Sequence, residues 1–85
     1  MPATLDDIIE MYGEESFLKA DGFDSAVIGV DRNSMRLVYS VAKIMNILVI
    51  EEKMSVQDAM EHFEYNIEGG YVGERTPIWC YDLEY

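Results

Sequence analysis

The feature that most limits what this chain can fold into is an apolar run near its middle. From Val41 to Ile50 the residues are Val-Ala-Lys-Ile-Met-Asn-Ile-Leu-Val-Ile, apolar at eight of ten positions. The β-branched content (Val41, Ile44, Ile47, Val49, Ile50) suits a buried strand as well as a helix. Length separates the two, since about a dozen residues is long for a strand and ordinary for a helix. On a helical wheel only Lys43 and Asn46 break the apolar surface. Such a helix is expected to be buried on most sides, either inside the fold or against a second copy.

A second helix is expected from Ser55 to Glu68. Ser55 is placed as an N-cap, and Asp58 in the first turn suits the helix dipole. At about 100° per residue, Val56, Ala59, Met60, Phe63 and Ile67 share one sector. Glu61, Glu64 and Glu68 fall on its flank, and Tyr65 faces nearly opposite. Gly69-Gly70 is expected to supply the left-handed residue that ends the helix. Together the two segments read as a helical hairpin.

The remaining elements follow from local signals. Thr4 as N-cap, with Leu5, Ile8, Ile9 and Tyr12 on one side, predicts a short amphipathic helix ending at Gly13. Residues 14–18 are expected to add a further turn, and Asp21-Gly22 a breaker. Residues 25–30 and 35–39 read as a β-hairpin around Asp31-Arg32-Asn33-Ser34, with Gly29 marking a bulge or the close approach of another backbone. Pro77 suits the entry to an edge strand at residues 78–81. The expected fold is therefore α+β: a small sheet of about three antiparallel strands packed against an N-terminal helix and the helical hairpin. Residues 1–85 are expected to form a single domain, with no repeat or linker dividing them.

Charge bounds the function. Seventeen Asp+Glu against six Lys+Arg give a net charge of −11, while 49% hydrophobic residues are enough to fold. A surface so acidic is repelled by nucleic acid and by anionic membranes, so the expected partner is the basic surface of a protein. A single cysteine, Cys80, and a start without signal-peptide character point to the cytoplasm. The Val41–Ile50 run is too short to span a bilayer.

Two blocks carry a resemblance. Residues 23–30 read Phe-Asp-Ser-Ala-Val-Ile-Gly-Val. Residues 54–78 contain Glu64-Tyr65-Asn66 at a helix end, Gly70-Tyr71-Val72-Gly73-Glu74, and Thr76-Pro77. The sequence is similar to a group of small, mostly uncharacterised tailed-bacteriophage proteins that share this acid-aromatic-Asn, Gly-aromatic-x-Gly-Glu and Thr-Pro pattern. The resemblance spans roughly two-thirds of the chain. It implies a phage protein acting in a bacterial host cell, and it brings no catalytic residues.

The chemistry-bearing residues are sparse. Asp58 and His62 have workable metal-ligand spacing on a helix, but a site needs a third ligand, and a solvated histidine is the simpler reading. His62 and Cys80 lack the orienting group and oxyanion hole of a nucleophilic pair. The Gly69–Gly73 segment follows a helix and lacks the lysine of a phosphate loop. No enzyme activity, metal or cofactor is expected.

The acid rows carry more. Glu61, Glu64 and Glu68 recur at helical spacing, roughly 5–6 Å apart, close to the spacing of backbone phosphates. Such a row could imitate nucleic acid toward a basic groove, although acids on an exposed face also serve simply as solvation. Tyr65, Tyr71, Trp79 and Tyr81 complete a candidate partner-binding set, because aromatics anchor interfaces at low entropic cost. Trp79 reads equally as core. The expected function is a small acidic accessory protein that binds and modulates a host protein, by inhibiting it. The alternative is a self-associating structural or ligand-binding protein, joined through the 41–50 helix and the 78–81 strand.

Overall fold

The computed structural model describes residues 5–13, 17–70 and 73–82. It is α+β, with three helices and a three-stranded sheet. Helix α1 is Leu5–Tyr12, buried through Leu5 and Ile8. Gly13, at φ 90°, closes it, and its amide donates to the Ile9 carbonyl at 2.7 Å. The expected cap Thr4 and the first three residues of the turn expected at 14–18 lie outside the described residues, while Phe17 and Leu18 are described and form no turn.

Strand β1 is Val27–Asp31 and β2 is Arg36–Ser40. The two residues expected to begin β1 belong instead to a short 3₁₀ turn, Asp24–Ala26. The hairpin forms where turn chemistry placed it. Asp31 Oδ1 accepts from the Asn33 amide at 3.1 Å, and Oδ2 from the Ser34 hydroxyl at 2.8 Å. Those two bonds, the Ser34 hydroxyl first, hold the Asp31 carboxyl below its usual range. Register shifts between Val27 and Gly29, so the bulge is present. A Cβ on Gly29 would meet nothing within 4 Å, so among the described residues no second backbone closes on it.

The 41–50 run is a helix. Val41–Asn46, called α2, continues as the wider π-helical turn Ile47–Glu51. Helix α3, Val56–His62, continues likewise through Phe63–Glu68. Val41, Ile44, Met45 and Leu48 of α2 meet Ala59, Phe63 and Ile67 of α3 in the core with Leu37 and Tyr39 of β2. Burial of the apolar run is incomplete, because Ile50 is 68% exposed and Val56, assigned to the inner sector of α3, is 65% exposed. Both residues sit beside the turn joining the helices, where nothing among the described residues covers them.

Strand β3 is Ile78–Cys80, at the sheet edge directly after the buried Pro77. It pairs with β2 in parallel, Val38 opposite Ile78 and Ser40 opposite Cys80. The expectation of a wholly antiparallel sheet is therefore corrected to a mixed one. The chain between β2 and β3 is a helical crossover, the connection that parallel neighbours require. Parallel order also brings Asp82, just past β3, to the start of α2, where its carboxylate is used. No helix among the described residues is long and apolar enough to cross a membrane.

Candidate functional site

The outward face of α3 is set by its cap and its phase. The Ser55 hydroxyl accepts from the Asp58 amide at 3.1 Å and fixes the first turn. With Ala59, Phe63 and Ile67 buried, the opposite side carries Glu61, Glu64 and Tyr65, all exposed. Tyr65 stands 79% exposed, a large aromatic ring in water with acids on its own helix for neighbours.

Other members of the expected set do different work. Trp79 and Tyr81 lie on one side of the strand, as alternation predicts, and that side faces α3. The Trp79 ring packs 5.5 Å from Tyr39 and 5.6 Å, edge-on, from Phe63. Tyr81 meets Phe63 edge-on at 6.0 Å while remaining 53% exposed. Its hydroxyl donates to Glu68 Oε2 at 2.8 Å. Partial burial, that bond and the charges of Glu68 and Glu64 push the Tyr81 hydroxyl up to about 12. Glu68, Trp79 and Tyr81 thus join the C-terminal strand to α3, whereas Glu61, Glu64 and Tyr65 face solvent. Tyr71 lies outside the described residues.

Compared with family models, curated proteins and solved structures, the chain matches none.

Asp82 is a functional group that no sequence pattern announces. Its Oδ2 accepts from the Ser40 hydroxyl at 2.6 Å, and its Oδ1 from the Ala42 amide at 3.1 Å. Ser40 in turn accepts from the Lys43 amide at 3.1 Å, so one buried hydroxyl caps α2 and holds the carboxylate. Burial raises the Asp82 pKa, but the bonds from Ser40 and the amides, with the charge of Lys43, outweigh it and leave the group below its usual value. An acid at a helix start also meets the positive end of the dipole. A single acid among so many, forty residues from its partner, leaves no trace in local pattern.

His62 and Cys80 are not brought together as a reactive pair. Nδ1 of His62 lies 3.1 Å from the side-chain amide of Asn66, one turn further along the same helix. Cys80 alternates with Trp79 and so points to the sheet face away from α3. Among the described residues no three His, Cys, Asp or Glu side chains cluster as metal ligands.

Proposed function

We propose that this chain is a non-enzymatic accessory protein that docks on a basic protein surface through the outward face of α3. The observation carrying this reading is Tyr65, 79% exposed with Glu61 and Glu64 exposed on the same helix. An exposed aromatic with a rigid ring is a natural interface anchor, and surrounding acids steer a basic partner and exclude acidic ones. The phage-like pattern supplies the setting: the target is a host protein in the bacterial cytoplasm, and binding inhibits it. Imitation of nucleic-acid charge is the manner of binding that the acid row supports.

Capture from bacterial lysate tests this with three baits: the native chain, Tyr65→Ala, and Glu61→Gln with Glu64→Gln. The native bait is expected to retain a basic protein at low salt and release it as salt rises. Tyr65→Ala is expected to weaken retention at least about tenfold, as loss of an anchor does. The charge-neutral bait is expected to lose the salt dependence. Retention indifferent to both changes would discard the reading.

A second reading, self-association, is favoured by the exposure of Ile50 and Val56 beside an open groove lined by Met45, Asn46, Val49 and Val56. Light scattering separates the two. A dimer dispersed by Ile50→Lys supports association, and a strict monomer removes it.

A further inference from the structure

On the other flank of α3, an open cavity of about 260 Å³ lies between the Asp21-Gly22-Phe23 turn, the end of α2 and His62. It is roomier than the ~150 Å³ cavity that takes up benzene. Its apolar lining comes from Phe23, Ile47, Leu48 and Met54, and its polar lining from Asp21, Glu52 and His62. Both carboxylate residues are exposed, and no lysine or arginine among the described residues lines the cavity. An apolar slot with two acids in its lining is matched by a side chain with an apolar stem and a cationic head.

We infer that this cavity receives an arginine side chain from the basic partner. Arginine fits better than lysine for three reasons. Its guanidinium sheds water more readily, its flat head can stack on an aromatic ring such as Phe23, and its fork can meet two carboxylates at once. Its methylene stem lies against apolar wall while the charge stays near water. The position agrees with the docking face, because Tyr65 follows His62 by one turn of the same helix. The inference rests on the basic-partner reading and adds where one of that partner's cations goes.

The test follows amide shifts of the labelled chain during titration with acetyl-Gly-Arg-Gly-amide and with its citrulline counterpart, which has the same shape and no charge. Saturable shifts at Gly22, Phe23, Met54 and His62 are expected with the arginine peptide and not with citrulline. Asp21→Asn and Glu52→Gln are each expected to weaken binding about two- to fivefold, the range for one exposed charge pair. Both residues lie on the surface, so the amide spectrum of each variant reports directly that the fold is kept. Equal shifts with citrulline, or no loss in either variant, would overturn the arginine site. Shifts confined to Glu61, Glu64 and Tyr65 would also overturn it while leaving the α3 docking face standing. Shifts at the cavity, combined with lysate capture indifferent to the Tyr65 and glutamate changes, would keep the cavity and remove the docking face.

Discussion

Helices α2 and α3 begin and end in the same way on paper and are secured differently in space. Each starts at a serine whose hydroxyl accepts the amide three residues on, at 3.1 Å in both. Each finishes in a turn one residue wider than an α-turn: the Glu52 amide reaches the Ile47 carbonyl, and the Gly69 amide reaches that of Glu64. The cap of α2 is buried and shared with Asp82 from beyond β3, whereas the cap of α3 is exposed and purely local. The end of α2 is closed by a left-handed Lys53, and that of α3 by a glycine pair that is not left-handed. Helix α2 is thus held by contacts distant in sequence. Helix α3, held locally and by its core residues, leaves its outer face free to present Tyr65 and its acids.

The glycine pair offers the sharpest way to break this comparison. Gly69-Gly70 ends α3 without the left-handed geometry that such a pair predicts: Gly69 has φ −76° and neither residue is left-handed. The glycines are needed for space. A Cβ on Gly70 would lie 2.7 Å from the Asn66 carbonyl oxygen, and one on Gly69 3.0 Å from that of Glu64. Gly70→Ala is therefore expected to destabilise by about 1–3 kcal/mol, the usual cost of forced overpacking. In a domain of this size that lowers the melting temperature by at least about 4 °C. Gly29→Ala, at the open bulge, serves as the control, with little change expected. Equal melting temperatures for the two variants would mean that the widened turn of α3 does not constrain Gly70.

The two caps give the next largest effect. Ser55→Ala removes one exposed capping bond and should cost about 0.5–1 kcal/mol. Ser40→Ala removes the cap and the bond to Asp82 from a buried position, with about 1–2 kcal/mol expected from urea unfolding. Asp82 adds a pH signature. Its folded pKa is depressed, so its contribution is fully present above the ordinary carboxylate value and is lost as pH falls through the lower folded value. Acid unfolding of Asp82→Asn should therefore be less steep below about pH 4 than that of the native chain. Identical acid profiles, or equal losses at the two serines, would show that β3 does not help to hold α2.

These cases also show where sequence was informative. Helix α3 is legible in the sequence because its cap and most of its apolar period are local, and Gly69-Gly70 marks where it ends although not by the left-handed geometry expected. The hairpin was legible because Asp31 and Ser34 carry their own turn chemistry. Less was visible where distant parts meet. The parallel pairing of β3 was available in principle from the long helical connection, but the strand's own residues read alike in either direction. Exposure of Ile50 and Val56 depends on what lies over the α2–α3 turn, which periodicity does not contain. Of the expected contact residues, Glu61, Glu64 and Tyr65 reach solvent from helical phase alone. Glu68 and Tyr81 find each other across the fold, a pairing that no spacing announces. Asp21, Glu52 and His62 share a cavity for the same reason, having come from three separate elements.

The smallest effect concerns the other helix end and runs in the opposite direction. Lys53 sits at φ 58°, where an L side chain is strained and glycine is not. The wide closure of α2 requires that conformation, since the Met54 amide turns back to the Leu48 carbonyl at 3.1 Å. Lys53 is exposed, so its side chain has little packing to lose. Lys53→Gly should relieve about 1–2 kcal/mol of left-handed strain, set against the extra freedom glycine gains in the unfolded chain. A net stabilisation of about 0.5–1 kcal/mol by urea unfolding is expected. The same net charge change made as Lys53→Gln should give no such gain, because glutamine keeps the Cβ that causes the strain. If glutamine stabilises as much as glycine, the benefit comes from charge and the two helix ends differ less than their backbones imply.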